Sequence, residues 1–273
     1  MQYSQKTLSD NRQLFYAWFS AMFTRVDLIF CAEAEREDLK NIAQKISDQI
    51  DWVEALANRF NEHSELSKLN DCAYANEMLV QEELFGILSE CLIYHQQSMG
   101  YFDITVNSLN GYRGGAAAVQ LNPERQTIRF LHPDVQLDLS GYIKGYALGT
   151  VKQLLEKENI TDALISMGNS SVLALGNHPF GKGWKVSRPE TDTATNCVLF
   201  DECLTTSGNK AQTKWPVVNP LSGKAVEEKS PVSVITDNPA VGEVLSTALY
   251  VADEEQKAVL LKRFNAKELR IES

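Results

Sequence analysis

The sequence predicts an α+β fold, and three observations lead there. Apolar residues make up 44% of the 273-residue chain, ample for a sizeable core. Helical and strand patterns are mixed through the whole length. No internal repeat, low-complexity tract or linker interrupts residues 1–273, so one compact domain is expected.

In chain order, residues 25–32 read as a strand. A long amphipathic helix follows, in which Leu39, Ile42, Ile46, Ile50, Val53, Leu56 and Phe60 step by three and four. Glu33, Glu35, Glu37 and Asp38 at its start complement the helix dipole and form a solvated face. A second helix covers roughly 81–98 and runs into Gly100, after which 101–106 reads as a strand in an aromatic setting. Residues 127–130 and 135–139 read as hairpin strands, 142–157 as a helix, and 163–166 and 172–175 as strands. The last third carries strands near 184–187, 198–204 and 232–236, a turn at 219–223, and a helix over 239–252 capped by Asn238 with Pro239 at its first position.

Charge and cysteine content exclude several classes of function. A formal charge of -10, from 36 acidic and 26 basic residues, opposes binding to nucleic acid or to an anionic membrane. Cys31, Cys72, Cys91, Cys197 and Cys203 show no paired spacing and no interleaved histidine, so they read as reduced thiols and not as a zinc site or disulfide framework. The apolar run at 14–23 follows polar residues without a basic segment and is too short to span a bilayer, which leaves no transmembrane segment and favours a cytoplasmic location.

The most informative stretch is 138–147, Asp-Leu-Ser-Gly-Tyr-Ile-Lys-Gly-Tyr-Ala, where a strand ends in a Ser-Gly turn and a helix starts at once. That arrangement aims backbone N–H groups and the helix dipole at one point, with Lys144 in the first turn to reach a phosphate. A plain strand-turn-helix with Lys144 in solvent fits equally well, and geometry alone does not choose. On the final helix, Glu243 and Thr247 stand at i, i+4 beside Ser246, offering hard oxygen donors of the kind magnesium takes, although such a face is more often merely polar. The four histidines lie in none of these segments, so no Ser-His or Cys-His pair is suggested.

These segments together resemble the FAD:protein FMN transferase (ApbE-like) family. Residues 138–145 are similar to its D-L-G-G-x-x-K-G signature, and the run ending Leu245-Ser-Thr-Ala-Leu249 to its A-D-x-L-S-T-A-L helix, with Glu243 where the family has aspartate. Residues 64–70 resemble S-E-x-S-x-x-N, 100–106 resemble G-x-F-D-x-T-V, 206–208 match T-S-G, and 166–169 resemble a glycine-rich turn. The likeness extends over about 22–251.

The resemblance implies an ApbE-like (T-fold-like) architecture of mixed antiparallel sheets flanked by helices. It implies that Met22, Phe60, Tyr101, Phe102, Asp103, Asp138 and Lys144 line a site for FAD, with Val217 contributing through its backbone. It also implies a magnesium ion held by the Gly141 carbonyl, Glu243, Ser246 and Thr247. Lys144 and Glu243 become the catalytic pair in moving FMN from FAD to a threonine hydroxyl of an acceptor flavoprotein, with AMP leaving. A protein that binds FAD without transferring it, or an FAD pyrophosphatase, would use the same site. Departures cluster there too: Phe23 and Ser140 replace glycines, Gly149 an aspartate, Asn209 an acidic residue, and Pro216 and Asn219 a histidine and an aspartate.

Overall fold

The computed structural model describes residues 1–168, 170–187, 196–209, 216–227 and 229–269. Strand β1 (Gln2–Thr7) pairs with β2 (Gln13–Ala21), which turns through Met22 and Phe23 into β3 (Thr24–Ala32). Along β2 and β3 every second side chain points inward, so Phe15, Ala17, Phe19, Val26, Leu28 and Phe30 form one buried face. Helix α1 (Arg36–Ala57) lays Leu39, Ile42, Ile46, Ile50 and Val53 on that face. Each such side chain, fully buried, stabilises the fold by about 1.5–3 kcal/mol before conformational entropy is counted.

The middle of the chain builds a second layer. Helix α2 (Glu65–Cys72) is capped by the Ser64 hydroxyl, which accepts from the Ser67 N–H. Then come β4 (Met78–Leu79), α3 (Glu82–Gln97), β5 (Val119–Asn122) and β6 (Thr127–Phe130), the three strands forming a small sheet in the order β4-β6-β5. Helix α4 (Ile143–Lys157) leads into β7 (Asp162–Met167) and β8 (Ser171–Leu175). Strands β9 (Trp184–Ser187) and β10 (Asn196–Leu199) pair as a hairpin whose Trp184 and Leu199 pack over Val172, Ala174 and Leu204. The chain continues through β11 (Glu202–Ser207), β12 (Val232–Thr236), α5 (Pro239–Val251), α6 (Glu254–Arg263) and β13 (Lys267–Leu269). The main sheet runs β1-β2-β3-β7-β8-β11-β12-β13, and every neighbouring pair in it is antiparallel.

One close approach fixes the functional region. Helices α4 and α5 meet at Gly145, where a Cβ would lie 2.3 Å from the Pro239 carbonyl oxygen, so only glycine allows the two backbones to touch. Asn238 caps α5 as expected, accepting from the Ala240 and Val241 N–H groups.

Several expected elements take another form. Residues 101–106 are a series of turns and not a strand, because the Asp103 carboxylate accepts from both the Thr105 N–H and hydroxyl and bends the chain. Residues 135–139 join no strand among the described residues; the hairpin partner of β6 is β5. The Asn70 side chain stands in for the missing strand, donating to the Leu137 carbonyl at 3.0 Å and accepting its N–H at 2.8 Å. The single strand expected over 198–204 is two, β10 and β11, separated at Phe200-Asp201, where Asp201 has φ +53°. The apolar run at 14–23 is most of β2 and its turn, and no helix among the described residues is long and apolar enough to cross a membrane. All five cysteines are free; burial pushes the Cys91 thiol up, and that of Cys203 to about 12, which keeps both protonated.

Candidate active site

The short contact between α4 and α5 brings Lys144 and Glu243 together. The Lys144 Nζ donates to the Ser170 hydroxyl at 2.6 Å and the Ser171 hydroxyl at 3.0 Å, and lies 3.6 Å from Glu243 Oε1. Glu243 is buried on α5, and its Oε1 also accepts from the Ser171 hydroxyl. Lys144 is therefore drawn into the protein and does not extend into solvent, which separates the two readings the sequence left open. The ammonium is held by two hydroxyls and a carboxylate on the rims of α4, α5 and β8.

The expected cradle of N–H groups is less open than the sequence suggested. The N–H of Ser140 goes to Asp138 Oδ1 at 2.9 Å, and those of Tyr142 and Ile143 both go to the Leu139 carbonyl at 2.9 Å. Attraction for an anion here rests chiefly on the charge of Lys144.

A ring of oxygens lies beside the pair. The Ser207 hydroxyl, at the end of β11, is 2.8 Å from that of Ser246 and 3.2 Å from that of Thr247. The Ser246 hydroxyl also donates to the Glu243 carbonyl at 3.2 Å. Gly141 abuts this group, since a Cβ on it would sit 3.6 Å from Thr247 Oγ1. The three hydroxyls, the Gly141 backbone and the buried Glu243 carboxylate offer oxygen donors alone, the chemistry a hard divalent cation prefers, with the carboxylate itself turned to Lys144 and Ser171. Among the described residues no group of three or more His, Cys, Asp and Glu side chains is gathered for a metal.

From Lys144 a cleft opens to the surface between the β2–β3 turn and the end of α1, lined by Met22, Phe23, Glu54, Ala57, Phe60, Asp138 and Ile143 among others. Asp138 is tied down by three groups: the Ser140 N–H, the Asn107 amide at 2.7 Å and the Arg59 guanidinium at 3.2 Å. Arg59 also lies 4.9 Å over the Phe60 ring. Glu54, which the sequence did not single out, accepts the Met22 N–H at 2.5 Å.

Met22, Phe60, Asp138 and Lys144 thus line one cleft, the buried Glu243 lies behind Lys144, and Gly141 abuts Thr247, which shares the Ser207 hydroxyl with Ser246. Three of the other implied residues are not on its wall. Phe102 is buried, its ring 3.7 Å from where a Gly141 Cβ would be; Tyr101 is half-buried; the Asp103 carboxylate turns inward to Thr105 and lies 3.6 Å from His95 Nδ1. Val217 has its N–H on Asn209 Oδ1 and its carbonyl on the Val226 N–H. Asn169, in the glycine-rich turn, lies outside the described residues.

The family model for the ApbE family matches residues 22–270 of this sequence. The chain belongs to the ApbE family. Among curated relatives, an FAD:protein FMN transferase of Chlamydia muridarum is 29% identical over 254 residues, covering 81% of this chain and 79% of its own. One from Escherichia coli K12 is 24% identical over 260 residues, covering 81% and 74%. In fold, the flavin transferase ApbE of Vibrio cholerae superposes with a TM-score of 0.82 at 16% identity, covering 98% of this chain and 93% of that one. The ApbE protein of Thermotoga maritima gives 0.81 at 20% identity, covering 94% and 93%.

Two residues that depart from the ApbE pattern have structural work instead. Asn219 accepts from the Leu221 and Ser222 N–H groups and donates to the Val251 carbonyl, locking the turn against the end of α5. Asn209 clasps Val217 and Val226 in the same way. Glu54, Arg59, Ser171 and Ser207 were missed because each reaches the site from a different element. Only Ser207, inside the T-S-G match, lay in a segment the sequence had flagged.

Proposed function

We propose that this chain is a magnesium-dependent FAD:protein FMN transferase that moves FMN to a threonine hydroxyl of an acceptor protein and releases AMP. The observation that carries the reading is the ion pair of Lys144 with the buried Glu243, on the helix that carries the Ser246 and Thr247 hydroxyls, where Lys144 lines a largely apolar cleft. The names of the relatives support the same activity.

The acceptor hydroxyl oxygen attacks the phosphorus on the FMN side of the pyrophosphate, the bond to the bridging oxygen breaks, and its electron pair leaves with AMP. Lys144 places a positive charge where negative charge grows on the pyrophosphate. Gly141, Glu243, Ser246 and Thr247 would hold magnesium, which supplies charge neutralisation at the phosphates when bound. Glu243 is the carboxylate nearest this centre and takes the proton of the incoming hydroxyl. Ser171 holds it and Lys144 in register through one shared hydroxyl. The cleft positions the nucleotide's ring, and Arg59 keeps Asp138 oriented at its wall.

The test is in-gel flavin fluorescence of an acceptor protein incubated with FAD and magnesium. Labelling that requires both, and disappears in Lys144→Ala, supports transfer. One observation favours a second reading, an FAD-binding protein that does not transfer: Asn219 and Pro216 replace ionisable residues of the family pattern, and Asn219 is committed to its turn. Tight FAD binding without labelling of a competent acceptor would select that reading.

A further inference from the structure

Phe23 combines features that packing does not explain. Its backbone holds φ +58°, directly after Met22 at +49°, a left-handed conformation that a bulky residue enters only under strain. The residue is 82% exposed, so it gains little burial in return for the strain. Asn-Gly would close the same two-residue turn without strain. A large apolar side chain kept in such a position points to something it touches outside the chain itself.

The surroundings say where. The Phe23 ring meets Phe60, itself 55% exposed, with centroids 6.1 Å apart and planes at 89°. Both rings line the cleft that ends at Lys144. Each is anchored from behind: the Met22 N–H is fixed on Glu54, and Arg59 lies over Phe60 while paired with Asp138.

We propose that Phe23 and Phe60 form an aromatic clasp for a fused-ring heteroaromatic group, flavin or adenine, and that Phe23 sets the cleft's affinity for that ring. The clasp rests on the FAD reading above. A flat polycycle lying on one ring receives the edge of the other, the same perpendicular arrangement that the two side chains adopt between themselves. The glycine that the family pattern carries at this position has no side chain with which to do so. The turn directs the ring toward Phe60 at the cleft and away from the sheet.

The experiment titrates the full chain with FAD, FMN and ADP by calorimetry in the presence of magnesium, for wild type, Phe23→Gly and Phe23→Tyr, with a thermal melt of each. Phe23→Gly is expected to weaken FAD binding about 2- to 10-fold, the size of one aromatic contact. Its melting temperature stays level or rises, because glycine relaxes the turn. Phe23→Tyr retains wild-type affinity. Loss toward FMN alone assigns the flavin ring to the clasp, and loss toward ADP alone assigns the adenine. Unchanged FAD affinity in Phe23→Gly, or a loss shared alike by FMN and ADP, overturns the clasp. Wild type that fails to bind FAD overturns the FAD reading and the clasp with it, whereas wild type that binds while Phe23→Gly matches it overturns the clasp alone.

Discussion

At the inner end of the cleft each functional side chain is held by another: Lys144 by two serines and Glu243, Glu243 by Ser171, and Ser207 between Ser246 and Thr247. At the mouth, Phe23 and Phe60 stand mostly in solvent on a turn and at the end of a helix. The inner groups come from helices α4 and α5 and from the ends of strands β8 and β11, whereas the outer ones come from short loops. The contrast teaches where precision is built in. Charge has to be placed to a fraction of an ångström, and a ring only has to be covered.

The largest effect should come from the inner end. Glu243→Gln keeps the shape and removes the charge, and is expected to slow flavin labelling of an acceptor by about 10²–10³-fold, the usual cost of one transition-state electrostatic contact. It should also abolish any difference in FAD affinity with and without magnesium, read by calorimetry. An unaltered rate would move the chemistry away from this carboxylate.

Next comes Lys144→Ala, which should weaken FAD binding by about 1.5–3 kcal/mol, the worth of a hydrogen bond to a charged group. Gly145→Ala sharpens the comparison without removing a polar side chain. Its new methyl meets the Pro239 carbonyl, so helices α4 and α5 must part, and stability should fall by about 1–3 kcal/mol in denaturant melts. FAD affinity should fall as well, because Lys144 and Glu243 separate.

The smallest effect belongs to the mouth. Arg59→Leu breaks the pair with Asp138 and the contact over Phe60, yet Asp138 keeps the Ser140 N–H and the Asn107 amide, so FAD affinity should fall by only about 1 kcal/mol. If Arg59→Leu costs as much as Lys144→Ala, the division between a precise interior and a tolerant rim fails.

Much of this was legible in the sequence, for reasons that differ by element. Helix α1 announced itself through apolar periodicity, α4 through the Ser-Gly turn that opens it, and α5 through the Asn238-Pro239 start. Strand β1 did not, because Gln, Ser and Lys on an edge strand carry no burial signal. The run in β2 looked continuously apolar, since Tyr16 and Trp18 stack on the sheet's other face while Phe15 and Ala17 are buried. At the site, Lys144 and Glu243 were visible through motif spacing, but the distance between them was not: it depends on Gly145 meeting Pro239, a contact between residues 94 positions apart in a numbering that shows only order. Ser171 and Glu54 were invisible because a lone serine in a strand and a lone glutamate on a helix have no pattern.

The clasp of Asn70 on Leu137 carries a consequence for how the site comes into being. The stretch that delivers Asp138 and Gly141 has no neighbouring strand to template it, and its Leu137 amide and carbonyl are satisfied by a side chain on α2, 67 residues earlier. The loop is therefore expected to settle together with that helix, as a non-local event of folding. In hydrogen exchange the Leu137 amide should open together with α2 and not with the main sheet, so the stability of a remote eight-residue helix governs how long the centre stays formed.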